Sequence, residues 1–367
     1  RSVPQLEFSL EHMASVVTED RQVNPNNVDC WLPGAEDPFE KAGAYRRTNE
    51  GVEPLREDFF QSVNGRKVDL EDDYMAPFFD KVAKEVRAVR DDWLIFAELD
   101  PFTGLLGGAF PEASPDRTVN ASHWYDIALL STKEFMFPTA VNPFSGKTLN
   151  GREEIEAHYR RQLSNIRNAG RTLNGGTGAP TLIGECGTPY DLAGAAAYKA
   201  WADGDRSEEP WTPHIMALEF LYNALDAMHL SSTQWNYTAS NSNDLAIGDG
   251  WNQEDLSIFS RDQQDDPADI NSGGRALKGF VRPYLQACKG TPLETKFTLE
   301  TREFVSRYQP EGSGEAKFFV PVLQYPDGYS LSVDGGTADY DAIAQKVTVT
   351  PEGTGEVLIT ITPVEED

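Results

Sequence analysis

Cysteine is scarce in this 367-residue chain: Cys30, Cys186 and Cys288 stand at long spacings with no Cys-x-x-Cys pair. That excludes a disulfide framework and a zinc-knuckle type of site, and leaves only a single bridge open. Histidine is scarce too. His12, His123, His158, His214 and His229 form no pair at helical spacing in a Glu-bearing motif, which argues against a metal-dependent hydrolase. No apolar run approaches the ~18–20 residues of a membrane span. Positive charge is in deficit: 32 Lys and Arg against 59 Asp and Glu leave a net −27. Such a chain repels nucleic-acid phosphates and anionic lipid headgroups. No Gly-x-Ser-x-Gly elbow supports a serine triad around His123-Trp124-Tyr125-Asp126. The opening residues Arg1-Ser2-Val3-Pro4 include neither an initiator methionine nor a signal or transit pattern. They name no compartment and read as the start of a processed product or a fragment. Nothing in the chain calls for a cofactor or a metal.

What is present is a hydrophobic content of 39% with 25% charged residues, the balance of a globular protein with a sizeable core. Residues 1–70 are turn-rich, but Trp31, Phe39, Tyr45, Phe59 and Phe60 predict an irregular packed segment, with a helix over Leu6 to Val17. From Tyr74 to Arg90 an amphipathic helix is expected, with Phe78, Val82, Val86 and Val89 inward. Trp93 to Glu98 follows as a buried strand, and the helix-then-strand alternation signals α/β units. Ala121 to Leu130 reads as a second strand, Arg152 to Ala169 as a helix, and Thr181 to Ile183 as a third strand. Helices over Leu192–Ala202 and Pro213–Met228 precede a fourth strand, Ser231 to Tyr237, which ends in Gln234-Trp235-Asn236-Tyr237. A long polar loop over 238–274 contains enough apolar residues (Trp251, Leu256, Ile258, Phe259) to be ordered, and a helix is expected over Gly274 to Cys288. After Thr291 the texture changes to short alternating segments, Thr298–Val305, Ala316–Leu323, Tyr329–Val333, Lys346–Thr350 and Gly355–Thr362. These predict a small antiparallel β-sandwich.

The chemistry centres on Pro180-Thr181-Leu182-Ile183-Gly184-Glu185-Cys186-Gly187. A short β-branched run ending in a carboxylate framed by glycines is the way a parallel strand delivers an acid to its carboxyl end. In isolation the match is equally a glutamate in a turn. Asn120-Ala121-Ser122 and Asn236-Tyr237-Thr238 match the glycosylation pattern, but both sit beside strand ends and are read as chance.

These motifs together resemble glycoside hydrolase family 5, in its endoglycoceramidase and glycosylceramidase-like branch. The residues that carry the resemblance are Ile183-Gly184-Glu185-Cys186-Gly187, His123-Trp124-Tyr125, Gln234-Trp235-Asn236-Tyr237 and the stretch Gly248-Asp249-Gly250-Trp251-Asn252-Gln253-Glu254-Asp255. Gly274 to Tyr284 and the appended sandwich add to it. The resemblance implies strands five to eight of a (β/α)8 TIM barrel in residues 1–290, with 1–70 as an irregular insertion, and an antiparallel β-sandwich in 291–367. It also implies retaining hydrolysis of a β-glucosidic bond to a lipid-like aglycone, with Glu185 as nucleophile oriented by Tyr125. His123, Trp235, Asn241 and Trp251 would contact substrate. The family's Asn-Glu-Pro acid/base motif is absent; Asn49-Glu50-Gly51 follows Arg46-Arg47-Thr48, which cannot be a buried strand, and Glu98 lies on the wrong strand. The general acid is therefore expected on an N-terminal segment of the same protein, supplying strands one to four. Glucosides of sterols or plant aglycones are alternative substrates. A catalytically silent carbohydrate-binding or structural protein is the alternative of another class.

Overall fold

A computed structural model describes residues 2–9, 14–26, 28–251 and 254–364. Four strands lie side by side and parallel: β1 (Ile95–Ala97), β2 (Thr118–Asn120), β3 (Leu182–Cys186) and β4 (Ser231–Gln234). β1 pairs with β2, an Asn120–Thr181 bridge joins β2 to the start of β3, and β3 pairs with β4. Spatial order thus equals chain order, as helical crossovers between parallel strands dictate. Helix α1 (Ala76–Val89) precedes β1; the short helix Pro101–Leu105 lies between β1 and β2, α2 (Gly151–Ala169) between β2 and β3, and α3 (Leu192–Ala202) and α4 (Thr212–Met228) between β3 and β4.

The core lies between α2, α4 and the strands. Ile155, Tyr159, Leu163 and Ile166, the predicted inward face of α2, are all buried there with Ile183, Phe220, Leu221 and Leu225. The inward face of α1 is not the one expected. Ala76, Phe79 and Ala83 are buried, whereas Phe78 and Val89 face outward. Phe79 joins Ala97, Leu99, Phe110 and Leu173 in a separate cluster.

Other expectations also require correction. Leu6 to Val17 is not a helix: Ser2–Ser9 pairs antiparallel with Ala14–Gln22, a ladder that β-branched Val16 and Val17 favour. Residues 10–13, His12 among them, lie outside the described residues. Trp93 to Glu98 is strand only over Ile95–Ala97, and Phe96 on its outer face is exposed. Ala121 to Leu130 is not one strand. β2 ends at Asn120, residues 121–126 run on in extended form, and Ile127–Thr132 is a short helix capped by Asp126. β4 stops at Gln234 instead of Tyr237. Trp31 packs tilted on Phe39, and Phe60 packs edge to face with Phe39 and Phe59, while Phe39 and Phe60 remain exposed. Tyr45–Thr48 and Gly51–Pro54 form an exposed hairpin with Asn49-Glu50 as its turn.

The helix expected over Gly274 to Cys288 shrinks to the single turn Leu277–Phe280. Pro283 has no N–H to donate and disfavours helical dihedrals at Arg282. The residues after it form β5 (Tyr284–Cys288), which pairs with β8 (Ala316–Phe319). Between these lie β6 (Gly290–Thr298) and β7 (Glu303–Pro310); beyond them lie β9 (Tyr329–Asp334), β10 (Gly336–Asp341), β11 (Lys346–Pro351) and β12 (Val357–Pro363). Two antiparallel sheets result, ordered β5-β8-β11-β10 and β6-β7-β12-β9. Thr291 falls inside β6, so the sandwich begins before the boundary read from texture, and Thr298–Val305 is a strand end, a turn and a strand start. Phe304, Phe318, Val347, Val349, Ile359 and Ile361 form its core, one inward residue at alternate positions from each sheet. Among the described residues no helix is long and apolar enough to cross a membrane, and all three cysteines are free.

Candidate active site

The carboxyl ends of the four parallel strands converge on Glu185. Two glycines make this convergence possible. A Cβ on Gly184 would stand 2.3 Å from the Ala121 carbonyl oxygen and 3.1 Å from His123 Cδ2. A Cβ on Gly187 would stand 2.3 Å from the Trp235 carbonyl oxygen. The glycine frame around Glu185 is thus a requirement of close strand approach. Backbone bonds continue the sheet past the named strands: Ala121 N–H to the Ala97 carbonyl at 2.8 Å, Gly184 N–H to Ser122 at 3.2 Å, and Trp124 N–H to Glu185 at 2.9 Å.

Residues 121–126 alternate in and out. Trp124 is buried, its Nε1 donating to Gln162 Oε1 at 3.1 Å and its ring lying edge-on to Tyr159 at 4.8 Å. Its neighbours His123 and Tyr125 therefore project to the opposite side, where Glu185 is. Tyr125 Oη donates to Glu185 Oε2 at 3.1 Å. His123 Nδ1 lies 3.3 Å from the same oxygen and 3.0 Å from Glu98 Oε1. Among the described residues no hydrogen bond takes up Glu185 Oε1. Burial, and secondarily the Glu185 charge, push the Tyr125 phenol well above its ordinary range, so it stays a donor. Burial also raises the Glu98 carboxyl; Glu185 and Asp100 add to the effect and His123 opposes it.

The loop after β4 folds back over this pocket. Asp249 accepts from Asn236 Nδ2 at 2.6 Å, from Leu256 N–H at 3.3 Å and from Trp251 N–H at 3.0 Å. Trp251 is thereby set edge-on to Trp235, ring centroids 6.1 Å apart. Asn252 and Gln253 of the same stretch lie outside the described residues. The loop is anchored below by Asp255, which Arg275 grips with Nη1 at 2.9 Å and Nη2 at 2.5 Å. Tyr198 Oη donates to the same carboxylate, and Tyr190 lies 4.3 Å under the guanidinium.

The structure brings Glu185, Tyr125, His123, Trp235 and Trp251 together. Asn241 does not join them. It is buried, and its Nδ2 donates to Asp255 at 3.2 Å and to the Phe259 carbonyl at 2.9 Å, so it braces the loop. Two residues enter that the sequence reading left out of the site. Glu98 was set aside because of its strand. Glu254 acts electrostatically on Tyr125, and burial raises its carboxyl, with Asp249 and Asp191 adding and Lys133 opposing. Its place in the Gly248–Asp255 stretch gave no separate signal. Asn120 is fully buried, with Nδ2 on the Ile166 carbonyl at 2.8 Å, so that sequon cannot be modified in the folded chain. Among the described residues no group of three or more His, Cys, Asp or Glu could hold a metal ion.

An α/β domain with a carboxylate at a strand's carboxyl end, followed by an antiparallel sandwich, is the class that this fold and site define. Residues 282–362 match the model of the glycoside hydrolase family 5 C-terminal domain. The glucosylceramidase of Rhizopus delemar is 26% identical over 336 residues, covering 84% of this chain and 47% of that protein. Endoglycoceramidase I of Rhodococcus hoagii is 36% identical over 89 residues, 24% of this chain and 18% of that protein. In fold, the chain superposes on sterylglucosidase 1 of Cryptococcus neoformans with a TM-score of 0.77 at 21% identity, over 99% of this chain and 57% of that one. The C-terminal residues 282–362 thus match glycoside hydrolase family 5, and the chain as a whole is similar to glucosylceramidases and, over shorter stretches, to an endoglycoceramidase. The chain spans about half the length of the curated glucosylceramidases it matches.

Proposed function

We propose that this chain carries the nucleophile half of a retaining β-glycosidase that cleaves the bond between glucose and a lipid-like aglycone. The observation that carries the reading is the state of Glu185: Oε2 is held by Tyr125 Oη and His123 Nδ1 while Oε1 is left open. A carboxylate so held attacks the anomeric carbon with Oε1 and expels the aglycone, giving a glycosyl-enzyme ester that water later hydrolyses. Tyr125, unable to ionise at neutral pH, contributes no competing charge. Trp235 forms the floor on which the apolar face of the sugar rests, and Trp251 walls the aglycone side.

Retaining hydrolysis also needs a proton donor about 5–5.5 Å from the nucleophile. Asn49-Glu50 forms the turn of an exposed hairpin and does not supply it. In this reading β1 to β4 are strands five to eight of a (β/α)8 barrel, and the acid/base glutamate comes from a segment of the same protein carrying strands one to four. In this reading the barrel portion ends before β5 (Tyr284–Cys288), where the sandwich begins. Names of the relatives place ceramide and sterol glucosides first among substrates to try.

The test is Glu185→Gln assayed on glucosylceramide, lactosylceramide, a ganglioside and a steryl glucoside. The variant should keep its melting temperature and lose turnover; retained turnover would sink the assignment. If the wild-type chain only binds sugar, and a full-length form is equally silent, the carbohydrate-binding reading takes its place.

A further inference from the structure

His123 is the point at which two carboxylates meet. Its Nδ1 lies 3.0 Å from Glu98 Oε1 and 3.3 Å from Glu185 Oε2. Ionised carboxylates only accept hydrogen bonds, so this geometry is attractive only when Nδ1 carries a proton. With the proton on Nε2 alone, a nitrogen lone pair would face two oxygens, and the ring would turn away. The placement of Glu98 is fixed from below by a buried polar chain. Leu99 N–H donates to Ser122 Oγ at 3.1 Å, Ser122 Oγ to Asn120 Oδ1 at 2.8 Å, and Asn120 Nδ2 to the Ile166 carbonyl at 2.8 Å. The end of β1 is thereby tied to the segment that bears His123. Glu98 itself is only part-buried, with 40% of its side chain exposed. The carboxylate thus stands against His123 without being needed to fill the core.

We propose that Glu98 is a positioning residue for the hydrolysis proposed above: it holds the His123 imidazole with Nδ1–H turned toward Glu185 Oε2, so that Oε1 remains free to attack. This rests on the reading of Glu185 as nucleophile. The charged groups around His123 are Glu98 on β1, Glu185 on β3 and, beyond Glu98, Asp100. Glu98 thus does for the imidazole what a carboxylate partner does for other histidines whose tautomer matters.

The experiment uses the whole 367-residue chain with 15N-labelled histidine, the His123 signals being identified by their loss in His123→Asn. Wild type should show His123 with Nδ1 protonated. Glu98→Gln, which keeps an acceptor oxygen, should preserve that signature, and Glu98→Ala should give a mixture with the Nε2 tautomer. An unchanged His123 spectrum in Glu98→Ala overturns the proposal, and circular dichroism of both variants checks that they fold. A second arm follows release of dinitrophenolate from an aryl β-glucoside, a leaving group that needs no proton. There Glu98→Ala should slow the first turnover about tenfold to a hundredfold, the effect of losing a hydrogen bond to a charged group, and Glu98→Gln should recover most of it. If both variants keep full rate on that substrate and lose it on alkyl glucosides, Glu98 is the proton donor and the positioning role is wrong. If Glu185→Gln stays active, the nucleophile reading fails, and the histidine spectra still decide whether Glu98 holds His123.

Discussion

Gly184→Ala is the smallest change that tests how the site is assembled. The added methyl would sit 2.3 Å from the Ala121 carbonyl oxygen, a backbone atom, and 3.1 Å from the His123 ring. A carbon–oxygen contact normally settles near ~3.3–3.6 Å, so β3 and the segment beside it must part by about 1 Å. That separation acts on the bonds from Gly184 N–H to Ser122 and from Trp124 N–H to Glu185. Overpacking of this kind costs about 1–3 kcal/mol, and one weakened bond adds about 0.5–1.5 kcal/mol. The expected loss is therefore on the order of 2–4 kcal/mol, or roughly 3–5 °C in melting temperature. Glu185 moves with the strand, and a misplacement of ~1 Å lowers turnover about a hundredfold. Thermal unfolding followed by circular dichroism reads the first effect, and dinitrophenolate release reads the second. Gly355→Ala, where nothing lies within 4 Å of the new methyl, serves as the control and should be neutral. A Gly184→Ala chain that melts with wild type and reacts at the wild-type rate would refute the close-approach argument.

Two further outcomes follow from the anchoring of the loop. Arg275→Met leaves the buried Asp255 carboxylate unpaired, which should cost about 3–5 kcal/mol in urea unfolding and open residues 238–274 to limited proteolysis. His214 is buried with Nε2 3.0 Å from the Tyr190 carbonyl, and burial lowers its pKa to about 4. Its folded value lies below the unfolded one, so the stability it contributes is present above pH ~6.5 and is lost as pH falls toward 4. His214→Gln should flatten the decline in melting temperature over that window relative to wild type; an unchanged difference between pH 7 and pH 4.5 would contradict the buried neutral imidazole.

By itself the sequence determined those elements whose side chains announce their own surroundings. The 3.6-residue spacing of Ile155, Tyr159, Leu163 and Ile166 names a helix face wherever the helix is placed. The alternating segments after Thr291 require two sheet faces, and Gly184-Glu185-x-Gly187 marks a carboxylate where strands come close. Local pattern failed where pairing decides. Ser2–Ser9 and Tyr284–Cys288 became strands because a partner ladder was available to them, at Ala14–Gln22 and at Ala316–Phe319. The inward face of α1 was set by the cluster that Phe79 joins. Only the tertiary structure joined Glu98 to His123 and Glu185, because neighbouring parallel strands align positions that lie far apart in the chain. It likewise withdrew Asn241 from the site and gave it to the Asp255–Arg275 anchor. Spacing along a chain sets which face a side chain is on; which groups meet across strands depends on register, and register is a property of the assembled sheet.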